Sequence, residues 1–204
     1  IESLRNKVRL ASILGTLQST LTNFKYLSKN WKTNTEDERL LGVSLTGIMD
    51  SPITNGKGSS NAPLSDILEE LKGISIATNL EWAKKLKIPQ SVATTCVKPS
   101  GTVSQLVDAA SGIHARHNPY YIRTVRADKK DPLAQMMIDT GFPSEDDLTK
   151  PEHTYVFSFP MKTGDKAVFR NDMTAIEQLE LWLTYQKHWC EHKPSVTISV
   201  KESE

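Results

Sequence analysis

The stretch Val97-Lys98-Pro99-Ser100-Gly101-Thr102-Val103-Ser104 joins a strand predicted over residues 92–97 to a helix predicted from Val103 onward. The first N–H groups of a helix have no partner within the helix, and the helix dipole adds partial positive charge beside them. Gly101 leaves room for an anion to approach, and hydroxyl groups stand at Ser100, Thr102 and Ser104. This stretch is therefore a candidate phosphate-binding turn.

A second interpretation of the same turn needs no ligand. Its spacing differs from the Gly-x-x-x-x-Gly-Lys-Ser/Thr pattern of nucleotide-binding P-loops. Serine and threonine are also common helix caps, so Ser100 or Thr102 could simply cap the helix that follows. Taken alone, the residues of the turn leave both interpretations open.

Helical and strand-like patterns alternate on both sides of the turn, which indicates an α/β fold. Apolar residues recur every three or four positions over residues 1–27 and 63–86, and Gly73 is expected to break or bend the second helix. Asp131-Pro132 and the capping box at Thr174–Glu177 predict two more helix starts. Strands are expected over 40–48 (buried, or leading into a tight turn), 92–97, 120–126, 154–160 and 195–200. A helical turn at Thr35–Glu38 and a surface loop at 51–62 complete the pattern.

Composition narrows the classes of function. The 204 residues include 25 Lys and Arg against 24 Asp and Glu, a net charge of +1. Because nucleic-acid-binding domains usually carry a basic excess, no direct nucleic-acid partner is expected. No apolar run approaches the roughly 20 residues of a membrane helix, so no membrane partner is expected either. Two cysteines are too few for a disulfide scaffold, which favours a reducing compartment, the cytoplasm.

Two other polar clusters are candidates for function. Residues 111–119 place His114, Arg116 and His117 in one loop, and a solvated loop without an assigned role is the preferred interpretation. Four residues separate His188 from His192, so the two could share a helix face, but a metal site needs three or four converging ligands. An amphipathic helix end with a buried cysteine is therefore preferred there, and no metal is expected.

The remaining cysteine and two tryptophans are expected in the core. Cys96 lies in an apolar strand, where a small core residue is the simplest interpretation. Trp182 and Trp189 recur at helical spacing, which is more typical of a buried helix face than of a stacking platform.

Several motifs, taken together and in order, resemble the large catalytic chain of ribonucleotide reductases. They are Pro99–Leu106, Ser111–His114 and Tyr120–Arg123, supported by 41–50, 174–179 and 194–198. The sequence is most similar to the adenosylcobalamin-dependent, monomeric ribonucleoside-triphosphate reductases, and the resemblance covers nearly all 204 residues.

This resemblance implies a fold and a function. The fold would be the C-terminal portion of the family's ten-stranded α/β barrel, with residues 1–204 a single segment of that larger domain. The function would be part of the thiyl-radical reduction of ribonucleotides to deoxyribonucleotides, with triphosphates expected as the substrates and diphosphates as the open alternative. The substrate phosphates would be held by Ser100, Gly101, Thr102, Val103 and Ser104. Adenosylcobalamin would be bound mostly by other parts of the enzyme, and the partners would be the rest of the barrel and a thioredoxin-like reductant.

The sequence departs from the family at the reacting groups. The family's radical cysteine lies in an Asn-x-Cys-x-Glu loop and a pair of cysteines supplies electrons, but only Cys96 and Cys190 are present here, without that motif. No catalytic residue is therefore assigned, and the chain alone is expected to be inactive. The first residue, Ile1, already lies within a helical pattern, so a segment cut at both ends from a longer enzyme is expected. A non-catalytic phosphate- or nucleotide-binding α/β module and a purely structural segment remain the alternatives.

Overall fold

The computed structural model describes residues 1–58 and 62–203 and contains two compact units. The larger unit contains Ile1–Arg116 and the residues from Lys166 onward, and the smaller unit is His117–Asp165. In chain order the elements are α1 (Glu2–Gln18), α2 (Lys29–Glu38), β1 (Val43–Ser44), a 3₁₀ turn (Ile48–Asp50), α3 (Leu64–Leu86), β2 (Thr95–Cys96), α4 (Val103–Leu106), β3 (Tyr120–Asp128), α5 (Pro132–Asp139), β4 (Ser144–Asp146), β5 (Thr154–Lys162), a 3₁₀ turn (Arg170–Asp172) and α6 (Ala175–His188).

A parallel pair of short strands lies at the centre of the larger unit. β1 pairs with β2, with Val43 opposite Thr95 and Ser44 opposite Cys96, and the connection between the two strands contains the long helix α3. Strand, helix and parallel strand form the βαβ arrangement of α/β folds. Both strands are shorter than the predicted segments 40–48 and 92–97. The prediction for residues 40–48, a strand leading into a tight turn, is confirmed. Gly47 adopts φ 68° and directly precedes the 3₁₀ turn.

The core of the larger unit is formed by buried residues of the helices and of the segments around the strand pair. Tyr185 and Trp189 are fully buried, and the Tyr185 hydroxyl donates to the Thr54 carbonyl at 2.8 Å. The predicted capping box is confirmed, since the Thr174 hydroxyl accepts from the Glu177 N–H at the start of α6. The apolar core contains Val8, Ile48, Leu68, Leu71, Val97, Ile113 and Leu181, among others.

Helix α1 packs against α3 through small polar side chains. The hydroxyls of Ser12 and Ser75 are 2.9 Å apart, and the Asn79 amide donates to the Thr16 hydroxyl at 3.0 Å. All four residues are buried. Four leucines of α1 and of the turn after it lie on exposed surface instead: Leu10, Leu14, Leu17 and Leu21.

Three helix predictions are wrong in their details. The helix predicted over 1–27 ends at Gln18, because the Ser19 and Thr20 hydroxyls bond to carbonyls in the last turn and compete with the helical pattern. The residues Thr35–Glu38 end a helix rather than begin one, since Ser28 is the N-cap of α2. Gly73 does not break α3, which is continuous from Leu64 to Leu86.

The strand predicted over 195–200 is absent from the described part of the chain. This segment is held by side chains of α6 instead of by a neighbouring strand. The Gln178 side chain bonds both the N–H and the carbonyl of Ser199, and the Trp182 indole donates to the Pro194 carbonyl at 3.0 Å. Residues 51–58 form the expected loop, although Thr54 and Asn55 within it are buried. Residues 59–61 of the predicted loop lie outside the described residues.

The smaller unit is an antiparallel sheet with one helix. The strand order is β3–β5–β4, and β3 pairs with β5 from Tyr120 opposite Lys162 to Asp128 opposite Thr154. The predicted start of α5 is confirmed, because the Asp131 carboxylate accepts from the Leu133 N–H at 2.8 Å. Across the described residues of both units, no helix is long and apolar enough to cross a membrane.

Candidate phosphate-binding site

The turn after β2 carries a row of free backbone donors. Gly101, Thr102 and Val103 are exposed, and within the described chain their three N–H groups donate to no acceptor. A Cβ placed on Gly101 would meet no atom within 4 Å, so the turn is open to a ligand. Helix α4 is only one turn long, from Val103 to Leu106, so its dipole is weaker than a full helix would supply. Attraction of an anion to this turn would therefore come mainly from the N–H groups themselves.

The three hydroxyl groups of the turn are placed differently. The Thr102 side chain is exposed and makes no capping bond to α4. Ser104 is fully buried, and its hydroxyl donates to the carbonyl of Ser100. The Ser100 and Thr46 hydroxyls are 2.5 Å apart. Because Thr46 donates its one hydrogen to the Ala110 carbonyl at 3.0 Å, Ser100 is the donor in this pair.

A second loop supports the turn from the other side. The Gly112 N–H points at both hydroxyls, 3.0 Å from Thr46 Oγ1 and 3.2 Å from Ser100 Oγ. Gly112 adopts φ 52°, and a Cβ at this position would lie 2.6 Å from the Lys98 carbonyl oxygen. The close approach of the two loops therefore requires glycine here. Sequence reasoning assigned no role to Thr46 or Gly112, although both lie in stretches that carry the family resemblance.

The buried position of Arg116 contradicts the prediction that residues 111–119 form a solvated loop. Its side chain is only 9% exposed and lies against Asp50, with Nε 3.3 Å from Oδ1 and Nη2 3.3 Å from Oδ2. The His114 ring is half-buried and its Nδ1 lies 3.0 Å from the Ser111 carbonyl oxygen. His117 belongs to the smaller unit.

The strand that leads into the turn is anchored by the end of α6 and the residues after it. The Trp189 indole donates to the Cys96 carbonyl at 2.7 Å, and the Thr95 hydroxyl donates to the Trp189 carbonyl at 2.5 Å. The Glu191 carboxylate accepts the N–H groups of Thr94 and Thr95 at 2.5 and 2.9 Å. The predicted core positions of Cys96 and Trp189 are thus confirmed.

Both cysteines are free and buried. Burial raises the pKa of the Cys96 thiol, and it raises the pKa of Cys190 to about 12. Since the thiolate is the nucleophilic form, neither side chain is activated at neutral pH. The His188 Nδ1 lies 3.0 Å from a Glu69 carboxylate oxygen, and His192 lies after the end of α6. The part of the chain that the structure describes contains no group of three or more His, Cys, Asp or Glu side chains that could hold a metal ion.

Glu191→Gln is expected to lower the free energy of unfolding by about 1 kcal/mol at neutral pH, because the bonds to Thr94 and Thr95 lose their charge assistance. Burial raises the pKa of Glu191, but the N–H groups of Thr94 and Thr95, the Lys72 charge and the Thr95 hydroxyl together leave the pKa below its ordinary value. The stabilisation is therefore complete above about pH 4.5 and is lost as the pH falls through the lowered pKa.

Chemical denaturation at a series of pH values measures this difference. The two proteins should converge in stability at low pH, and a constant difference would contradict the role given to the carboxylate. Glu180→Gln, at an exposed position of α6, is the matched control and should stay within about 0.5 kcal/mol of the wild type.

The similar proteins and the similar solved structure are all ribonucleotide reductases that depend on adenosylcobalamin (B12). No family model matches the sequence. The chain is 33% identical over 176 residues to the adenosylcobalamin-dependent ribonucleoside-triphosphate reductase of Euglena gracilis, an alignment of 85% of this chain and 24% of the relative. It is 31% identical over 168 residues to a probable enzyme of the same name from Dictyostelium discoideum, covering 79% of this chain and 21% of the relative. The Lactobacillus leichmannii enzyme is 26% identical over 203 residues, covering 86% and 27%.

The fold has a counterpart among solved structures. The crystal structure of a B12-dependent (class II) ribonucleotide reductase superposes with a TM-score of 0.75 at 22% sequence identity. The superposition covers 94% of this chain and 30% of that one. The chain thus spans about a quarter of the length of the curated relatives and has a mixed α/β fold like that of the solved reductase.

Proposed function

Because this chain belongs by sequence with the adenosylcobalamin-dependent ribonucleoside-triphosphate reductases, we propose that it forms part of an enzyme that reduces ribonucleotides to deoxyribonucleotides. Its own contribution would be to bind the phosphates of the substrate. It would form the C-terminal portion of a ten-stranded α/β barrel, and the parallel pair β1–β2 with its helical connection supports this placement.

The observation that carries the proposal is the row of free donors in the turn. Three consecutive N–H groups, those of the exposed residues Gly101, Thr102 and Val103, have no acceptor within the described residues, and the space beside Gly101 is open to an anion. Phosphate oxygens are strong acceptors, and hydrogen bonds to charged groups are about twice as strong as neutral ones. The Thr102 hydroxyl, exposed beside these donors, would add a fourth.

The five residues of the proposed site would have two kinds of role. Gly101, Thr102 and Val103 would bind the phosphate directly. Ser100 and Ser104 would hold the turn in place, because the Ser100 hydroxyl is bonded to Thr46 and the Ser104 hydroxyl to the Ser100 carbonyl. The interpretation of the turn as a simple cap is less well supported, since neither Ser100 nor Thr102 caps α4 with its side chain.

The radical and reducing steps would depend on residues other than those of this chain. Cys96 and Cys190 are buried, with raised thiol pKa values, and neither lies in an Asn-x-Cys-x-Glu motif. Adenosylcobalamin would supply the radical chemistry in the whole enzyme, and most of the residues that bind it would lie outside this chain. The thioredoxin-like reductant would likewise act elsewhere, so the chain alone is expected to be inactive.

Ser100→Ala combined with Thr102→Ala should weaken binding of a ribonucleoside triphosphate to the reductase. The variant loses one hydroxyl expected to contact phosphate and one that holds the turn. A hydrogen bond to a charged group contributes about 1.5–3 kcal/mol, so we expect at least tenfold weaker binding, measured by isothermal titration calorimetry. The matched control is Ser3→Ala combined with Thr33→Ala, both at exposed positions of α1 and α2. Unchanged affinity in the first variant would exclude the proposed site.

A self-contained, non-catalytic nucleotide-binding module is the second candidate. The exposed surface of α1 argues against it, because Leu10 and Leu14 are 58% and 66% exposed although a monomeric domain usually buries such a helix face. Native mass spectrometry of the isolated chain with ATP distinguishes the two. A stable monomer that binds nucleotide tightly would favour the module, whereas weak binding with self-association would favour the reductase segment.

A further inference from the structure

We propose that Arg116 is a positioning residue of the phosphate-binding turn, an inference that rests on the function proposed above. Its guanidinium group bridges two segments that are distant in sequence. It contacts the Asp50 carboxylate at 3.3 Å and donates to the Asp108 carbonyl at 2.8 Å. Since the side chain is only 9% exposed, Arg116 holds protein groups together and is not available to a ligand.

The bridge fixes an unusual backbone conformation just after α4. Asp108 adopts φ 47°, in the left-handed region that non-glycine residues rarely occupy. Arg116 bonds the carbonyl of this residue, and its side chain also reaches the Asp108 carboxylate at 3.3 Å. Asp50 in turn accepts the Ala110 N–H at 2.6 Å. The arginine and this aspartate thereby hold the start of the 108–112 loop.

The 108–112 loop sets the position of the three free N–H groups through the hydroxyls of Thr46 and Ser100. The Ala110 carbonyl accepts from the Gly47 N–H at 2.7 Å and from the Thr46 hydroxyl at 3.0 Å. Thr46 and the Gly112 N–H then hold the Ser100 hydroxyl. Because Ser100 directly precedes the three free N–H groups, a shift of the loop would change where those groups point. Arg116 therefore acts on phosphate binding indirectly, through Asp50 and Ser100.

Two variants of opposite charge test this role. Arg116→Gln removes a positive charge and Asp50→Asn removes a negative one, yet both break the same bridge. If Arg116 positions the turn, both should bind inorganic tripolyphosphate at least tenfold more weakly than wild type. If it acted only through its electric field, Asp50→Asn should bind the anion more tightly. Affinity is measured by calorimetry, and the amide NMR signals of Gly101, Thr102 and Val103 should shift in both variants before any anion is added.

The exposed ion pair Arg5–Glu70 supplies the control. Arg5→Gln and Glu70→Gln make the same charge changes on α1 and α3, and both should bind tripolyphosphate within about twofold of wild type. If Arg116→Gln fails to fold, the isosteric Asp50→Asn decides the question. Wild-type affinity or tighter binding in Asp50→Asn would overturn the positioning role and leave the proposed site intact. No binding by the wild type would instead overturn the site, and this inference with it.

Discussion

Trp189→Ala is expected to lower the free energy of unfolding of the larger unit by about 3–5 kcal/mol, the usual cost of truncating a large buried aromatic side chain. Trp189 has no exposed surface, and its indole N–H donates to the Cys96 carbonyl at 2.7 Å. The substitution would leave a cavity, and a carbonyl that has lost its indole donor, in the strand before the proposed phosphate-binding turn. Urea denaturation followed by circular dichroism measures the change.

Two further variants separate the contributions of packing and hydrogen bonding at this position. Trp189→Phe keeps an aromatic ring but loses the indole donor, and should cost less than Trp189→Ala. Trp31→Ala makes the same truncation where the side chain is 61% exposed in α2, and should change stability by no more than about 0.5 kcal/mol. Equal effects of Trp189→Ala and Trp31→Ala would contradict the placement of Trp189 in the core.

Gly112→Ala is expected to destabilise the protein by about 2–4 kcal/mol and to abolish measurable binding of tripolyphosphate. The new methyl group would lie 2.6 Å from the Lys98 carbonyl oxygen, and the backbone φ of 52° is unfavourable for alanine. Relief of this contact requires the two loops to separate, which would break the bonds from the Gly112 N–H to Thr46 and Ser100. Thermal unfolding and calorimetric titration measure the two effects.

Gly73→Ala is the matched control for that substitution. Gly73 lies within α3, and a Cβ there would meet no atom within 4 Å. Alanine should therefore stabilise the helix by about 0.5–1 kcal/mol and leave anion binding unchanged. A Gly112→Ala variant as stable as the Gly73→Ala variant would show that the two loops do not depend on the glycine.

Local sequence signals predicted the elements that depend on neighbouring residues. The capping box at Thr174 and the Asp131-Pro132 start are confirmed because each cap needs only groups within one helical turn. The strand predicted over 195–200 is wrong, since a strand exists only when another strand pairs with it. The helix predicted over 1–27 is too long, because local hydroxyl bonds at Ser19 and Thr20 end it before the apolar pattern does.

In the candidate site, too, features set by neighbouring residues could be predicted and features set by distant residues could not. From sequence alone, the turn at residues 100–104 could be proposed as an anion site, because the first N–H groups of any helix have no partner within the helix. Arg116, in contrast, was predicted in a solvated loop and is buried against Asp50, 66 residues away in the chain. No local pattern contains that pairing.

The sequence by itself thus predicted the α/β class and the family, since these follow from short motifs and their order, and it suggested the anion-binding role that we propose for the turn. Only the tertiary structure decided which hydroxyls of the turn are exposed and which are bonded within the protein. The reason is physical: Thr46 and Gly112 reach Ser100 from separate loops, and their hydrogen bonds exist only once the chain has folded around them. The exposure of Leu10 and Leu14 was decided in the same way, because α1 buries Ser12 and Thr16, and not these two leucines, against α3.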